Sequence, residues 1–320
     1  MLLVALGLGQ PCALPAATPD SITVTRLRYH GWPDSILVGN GLVEAVIVPA
    51  IGRVMQYRLA GAAEGPIWEN ASLRGRLHDP ASMEWSNFGG DKAWPSPQSD
   101  WPRTIRRTWP PPGGFDSRPM QASVEGTAVT LTSPVDPDYG IRVRRRIELA
   151  ADRPVMTITT RYEKVDRPSQ EVAVWTITQL KDPAAVYALR PGASHPGPAY
   201  VRQSDEPPPS LQVADGLLSL RRDPAKSHKI GVRSGALVWV GPNEVLRLDA
   251  TVVAGARYPD DDSSAEVYTQ ADPLPYVELE MLGPLVTLKA GDAVEETVRY
   301  TLGRRTASDP AAEIRRLPAR

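Results

Sequence analysis

Proline recurs along this chain too often to leave room for long helices: 33 of the 320 residues are proline. A proline inside a helix removes a backbone N–H and clashes with the preceding turn. A chain punctuated this way is therefore confined to short extended segments joined by turns. Those segments carry the period-two alternation of half-buried strands. Residues 35–38 and 42–48, joined through Gly39-Asn40-Gly41, read as a hairpin on a glycine-containing turn. In Arg53–Leu59, Met55, Tyr57 and Leu59 share one face. Similar segments follow at 121–125, 128–132, 141–149, 155–163, 171–180, 217–220, 229–232, 236–240, 245–254, 276–282, 285–288 and 293–302, and only 310–317 reads as helical. So many short strands with almost no helix predict an all-β fold, a large sandwich of antiparallel sheets. No internal repeat or low-complexity linker interrupts them. Residues 21–305 are expected to form one domain, preceded by a signal-peptide-like or disordered segment at 1–20 and followed by a tail at 306–320.

The formal net charge of −1 gives no electrostatic reason to expect nucleic acid or an anionic membrane as partner. Cys12 is the sole cysteine, so disulfides, thiolate metal sites and a cysteine nucleophile are not expected in the folded part. The spacings of a zinc site, a phosphate-binding glycine loop and a nucleophile elbow are missing, so neither metal nor cofactor is expected. The apolar opening Leu2-Leu3-Val4-Ala5-Leu6 looks like a signal-peptide core without a basic leader. Periplasmic or secreted placement is the expectation, with the cytoplasm as the alternative. No other stretch reaches the ~20 apolar residues that span a bilayer.

Two segments, 61–114 and 182–209, are dense in Pro, Gly, Asn and Asp and are read as long loops, where binding usually resides. The first contains Asn87-Phe88-Gly89-Gly90-Asp91-Lys92-Ala93-Trp94-Pro95-Ser96-Pro97-Gln98-Ser99-Asp100-Trp101, followed by Trp109. Rigid turns, amides, a carboxylate, an amine and flat indoles together suit a sugar, whose hydroxyls want fixed polar partners and whose C–H face stacks on indole. Eight tryptophans against two phenylalanines agree with this. A mono- or oligosaccharide is the expected partner, bound by a monomer. Asp260-Asp261-Asp262 is read as a solvated turn rather than a calcium loop.

The run Val48-Pro49-Ala50-Ile51-Gly52-Arg53, the Gly89-Gly90-Asp91-Lys92-Ala93-Trp94-Pro95 and Trp109-Pro110-Pro111-Pro112-Gly113-Gly114 pieces, and the ending Glu278-Leu279-Glu280…Lys289-Ala290-Gly291 carry a resemblance. Over about residues 21–305 the chain resembles an uncharacterised bacterial domain family grouped with the galactose mutarotase-like supersandwich proteins. The resemblance implies that fold and carbohydrate binding, without a known reaction. More distantly, the chain is similar to aldose 1-epimerases, which use a glutamate base and a histidine acid. Leu279-Glu280-Met281 ahead of Ala290-Gly291-Asp292 matches their base, which implies Glu280 for that role. Alternation puts Glu278 on the same face as a rival.

The histidine has no match. The corresponding strand carries Trp175 and Gln179, which can bind a sugar but cannot deliver a proton near neutrality. His195, Asp91 or Lys92 are the candidates for the proton-donating or orienting partner. The glycine-rich segment is also similar to a loop of hexose-6-phosphate epimerases, which would make Lys92 and Arg53 phosphate candidates. It is one residue shorter than that loop, and Phe88 stands where a basic residue is expected. The expected binding set is Arg53, Asn87, Lys92, Trp94, Gln98, Trp101, Trp109, Trp175 and Gln179. Epimerisation is the leading expectation. A non-catalytic sugar-binding module, or polysaccharide lyase or hydrolase chemistry, is the alternative.

Overall fold

The structure is a computed structural model and describes residues 22–79, 82–190, 198–214, 216–314 and 316. The signal-like segment at 1–20 and His195 lie outside the described residues. Among those described, two antiparallel sheets form, one of eleven strands and one of ten. The first runs Thr23–Tyr29, Trp32–Gly39, Val43–Val48, Arg53–Leu59, Asp91–Ser96, Gln170–Lys181, Tyr276–Leu282, Ala265–Thr269, His228–Val232 and Val201–Arg202, with Val286–Leu288 pairing beside Gln170–Lys181. The second runs Gln212–Ala214, Leu217–Leu220, Ala185–Leu189, Ala236–Val240, Glu244–Asp249, Ala293–Arg304, Val155–Lys164, Ile141–Leu149, Ala128–Thr132 and Gln121–Glu125. The all-β sandwich expected from the alternation is the fold observed.

The inward faces supply a continuous apolar core that includes Ile36, Val54, Ile147, Ile158, Leu237, Leu248, Val277, Leu279, Met281 and Leu302. Removing such side chains from water contributes about 1.5–3 kcal/mol each. The first hairpin is set as its turn residues dictate: Asn40 Oδ1 accepts from the amides of Leu42 and Val43, both at 2.9 Å. Gly41 takes the left-handed backbone conformation that a side chain would resist.

The two segments read as loops each contain a strand. In the first, Asp91–Ser96 lies in the middle of the larger sheet, paired with Gln170–Lys181 along its length. Its recorded pairing with Arg53–Leu59 is the single step Val54↔Asp91. Pro95 is tolerated because the strand is one-sided there, where a missing N–H costs no ladder bond. In the second, Ala185–Leu189 is an interior strand of the ten-stranded sheet. Both corrections have one cause. Proline and charged residues mark loops only when burial is ignored, and here a buried lysine, tryptophan and serine occupy one face of a central strand.

Candidate functional site

Register across the larger sheet builds the site. Lys92 pairs with Ile177, Ile177 with Glu280, Glu280 with Glu266, and Glu266 with Gly231. In the neighbouring row Gln179 pairs with Glu278, Glu278 with Tyr268, and Tyr268 with Lys229. Trp94 stands opposite Trp175. Directly paired residues point to the same face of a sheet, so these side chains rise together from its outer surface. Inward from the same strands come Val277, Leu279 and Met281. Above the rows opens a groove of about 320 Å³, walled by Trp85, Trp94, Trp109 and Trp175 and floored by Glu278, Glu280, Lys229, Tyr268 and Tyr276. Gln98 and Gln270 complete the lining. This is the size class of small-molecule clefts, and its mix of flat apolar walls with a few convergent polar groups is typical of them.

Like charges directly opposite one another destabilise a sheet, yet Glu266 and Glu280 are such a pair and neither is exposed. Lys229 relieves them, with Nζ 2.8 Å from Glu266 and 3.1 Å from Glu280. The same ammonium lies 4.4 Å from the Trp175 ring centre. Gly231, between Lys229 and the strand end, admits no side chain: a Cβ there would stand 2.1 Å from Ser263 Oγ. The Trp175 indole donates to Glu280 at 2.6 Å. A second ion pair, Lys92 with Glu278 at 3.5 Å, is packed under the Trp85 and Trp94 rings.

Burial pushes Glu280 up to about 7; Lys229 opposes that shift and Glu266 adds to it. Burial likewise raises Glu266 and Glu278, against the pull of Lys229 and Lys92 respectively. Lys92 is lowered by burial, with Glu278 pulling it back. Burial would lower Lys229 too, but Glu266 and Glu280 together leave it raised.

The sign of the linkage follows from a carboxyl raised in the folded state. The unfolded chain releases this proton near the ordinary glutamate value while the native chain keeps it. Stability from Glu280 is therefore fully present below about pH 4.5 and lost as pH rises through about 7. Glu280→Gln removes that dependence. Its stability relative to the native sequence is expected to rise by about 2–3 kcal/mol between pH 5 and pH 8. Urea unfolding at the two pH values measures this, and a difference independent of pH would refute the shift.

Of the residues expected from sequence, Trp94, Gln98, Trp109, Trp175, Glu278 and Glu280 line the groove. Lys92 and Gln179 are buried on the same face, and Asn87 donates to the Tyr276 hydroxyl at 3.3 Å. Trp101 is buried behind the wall, its indole donating to the Pro95 carbonyl at 3.0 Å. Two expectations are corrected. Asp91 has the opposite strand parity from Lys92 and points inward, where it is bound by Arg145, by the Thr178 hydroxyl and by the Tyr300 hydroxyl. It has no access to the groove and cannot serve there. Arg53 is likewise internal, paired with Asp116 at 2.7 Å and donating to the Gly89 carbonyl at 2.7 Å. No phosphate can reach it. Asp116 also accepts from the indoles of Trp94 at 2.9 Å and Trp85 at 3.2 Å, so this ion pair props two groove walls.

Trp85, Lys229, Glu266, Tyr268, Gln270 and Tyr276 were not singled out from the sequence. The alternation Glu266, Tyr268, Gln270 was a usable signal, hidden by the aspartate-rich turn before it. That turn is only partly solvated. Asp261 and Asp262 are exposed, whereas Asp260 is half-buried, with its carboxylate 3.3 Å from Ser96 Oγ.

No protein-family model matches the sequence, and no curated protein matches it. Solved structures do share the fold. A galactose mutarotase-like protein from Lactobacillus casei ATCC 334 superposes with TM-score 0.56 at 13% identity, covering 84% of this chain and 100% of that one. A galactose mutarotase related enzyme from Lactobacillus acidophilus gives 0.55 at 12%, covering 86% and 98%. A galactose mutarotase-like protein from Clostridium acetobutylicum gives 0.55 at 8%, covering 90% and 100%. The chain has the galactose mutarotase-like fold, as the sequence resemblance implied.

Proposed function

We propose that the groove binds a sugar and exchanges protons at its anomeric centre, as an aldose 1-epimerase does. One observation carries the reading: two carboxyl groups of a single strand, Glu278 and Glu280, lie on the floor of an indole-walled groove. The anomeric hydroxyl and the ring oxygen of a pyranose are both bonded to C1, so two carboxyl groups that rise from one strand face into the same groove can converge on them together. Ring opening needs a base at the first and an acid at the second. Carboxyl groups raised by burial are matched to that work near neutral pH. The indoles offer the stacking platform, and Gln98 and Gln270 the fixed polar contacts for hydroxyls.

The test is the approach of pure α-glucose and α-galactose to anomeric equilibrium, followed by NMR with and without protein. Acceleration is expected. Saturable binding across an aldose panel with no acceleration would replace epimerisation by a non-catalytic binding groove. Trp109, at the rim and 42% exposed, offers a free edge to a sugar while packing against the rings of Trp85, Trp94 and Trp101. Trp109→Ala is expected to weaken binding up to about tenfold and to lower stability as well, since each aromatic contact contributes about 0.5–1.5 kcal/mol beyond its area and the ring also packs on three neighbouring indoles. Titration by intrinsic fluorescence measures it, and unchanged affinity would remove Trp109 from the site.

A further inference from the structure

The groove has a base in reach but no histidine to act as acid, and its charges do not balance if every group is ionised. Lys92 and Lys229 face Glu266, Glu278 and Glu280 across one sheet surface. We propose that Glu266 and Glu280 hold one proton between them under Lys229, and that this shared proton is the acid of the site, with Glu266 as a positioning residue. The proposal rests on the groove being the sugar-processing site for its second half only; the shared proton is a property of the resting protein.

Geometry supports it first. The two carboxyl groups sit at directly paired positions, are fully buried, and converge on one ammonium, Lys229 Nζ, at 2.8 Å and 3.1 Å. Among the described residues, Glu280 Oε1 and both carboxylate oxygens of Glu266 have no hydrogen-bond donor. A buried oxygen without a donor is costly, and a proton placed between two carboxylates supplies one. Glu280 Oε2 is already engaged by the Trp175 indole and Lys229, while Glu266 Oε2 has only the ion-pair approach of Lys229. One retained proton also leaves two ammonium groups against two carboxylates among these five side chains, and the Asp260 carboxylate above them adds a further reason to keep it.

The groups facing Glu280 come from every neighbouring element. They are Glu278 and Tyr276 on its own strand, Glu266 and Tyr268 on the next, Lys229 beyond it, Trp175 and then Lys92 on the other side, and Asp260 from the turn above. None of the others makes a better acid. Tyr268 and Tyr276 are raised by burial, and Lys229 is raised by its two carboxylates. Lys92 is lowered but does not line the groove.

In the step this implies, Glu278 takes the base role that the resemblance implied for Glu280: it accepts the proton of the anomeric hydroxyl, and that oxygen forms the carbonyl of the open-chain aldehyde. The bond from C1 to the ring oxygen breaks, its electron pair going to the ring oxygen, which receives the proton from Glu280. One proton leaves the floor of the groove and one arrives, so its net charge is unchanged. Closure on the other face of the carbonyl runs the step in reverse. Lys229 stabilises the carboxylate left on Glu280.

Two measurements test this. Infrared titration of the unliganded protein reads the carbonyl stretch of a protonated carboxyl; at pH 6 a band component belonging to the Glu266–Glu280 pair is expected in the native-minus-Glu280→Gln difference spectrum. It should be lost in Glu280→Gln and moved to lower pH in Glu266→Gln. A band absent at pH 6, or present and unmoved in Glu266→Gln, overturns the shared proton. With an epimerised aldose, the fall of kcat at alkaline pH should move down by about one unit or more in Glu266→Gln, because the neighbouring negative charge is gone while Lys229 remains. An unmoved limb with the infrared band behaving as expected overturns the catalytic half alone. Absence of any epimerisation with the band intact defeats the epimerase reading and leaves the shared proton standing.

Discussion

Glu280→Gln is expected to slow anomer interconversion by about a hundredfold to ten-thousandfold, the usual contribution of one acid–base group, while changing sugar affinity by no more than a few-fold. The replacement is close in size and still offers the Trp175 indole an acceptor. Lys229 keeps Glu266 as its partner at 2.8 Å, so no buried charge is stranded. Above about pH 7, where the native pair loses its shared proton, the variant lacks the like-charge contact across the strand pair, which removes a destabilising term. Activity and stability are therefore expected to move in opposite directions above neutral pH. NMR exchange rates measure the first, and fluorescence titration with the same sugar confirms that the groove still fills. Glu278→Gln is a poorer instrument, because it leaves Lys92 buried without its ion-pair partner and confounds chemistry with folding. An undiminished rate in Glu280→Gln would end the acid–base assignment whatever the affinity.

The part of the site that was legible in the sequence is the part carried by single strands. Period-two alternation put Glu278 and Glu280 on one face before any register was known. The indoles of 94, 109 and 175 were legible as a sugar-binding inventory. What stayed hidden depends on which strand lies beside which. Lys229 and Glu266 meet Glu280 because His228–Val232, Ala265–Thr269 and Tyr276–Leu282 are consecutive in the sheet, and no local pattern encodes that order. Asp91 and Lys92 show the same limit from another direction. Read as a loop, both side chains could reach a ligand; as a strand, adjacent residues face opposite ways, and Asp91 goes to the core. The Arg53–Asp116 pair joins residues far apart in the chain through their shared burial.

That pair is where the largest loss of stability is expected. Arg53 and Asp116 are both almost fully buried, with side-chain exposures of 0% and 2%. Asp116→Ala leaves the guanidinium charged, desolvated and without its carboxylate, a loss that typically costs about 3–5 kcal/mol. The same carboxylate is the acceptor for the indoles of Trp85 and Trp94, so two walls of the groove lose their anchor together. The Arg53 bond to the Gly89 carbonyl remains at the entry to the Asp91–Ser96 strand, beside the backbone bonds that Gly90 makes with Trp68 and Gln179. Binding should weaken even at temperatures where the variant is folded, and the tryptophan emission should shift to the red as Trp85 and Trp94 gain access to water. Asp116→Asn, which keeps an acceptor but not the charge, should fall between the two in stability and lie nearer the native protein in sugar affinity. Urea unfolding with fluorescence titration separates the terms. A variant Asp116→Ala that folds normally but has lost the sugar would make the pair a direct determinant of binding; one that loses about 3–5 kcal/mol yet binds normally would show that the indoles are held by packing alone.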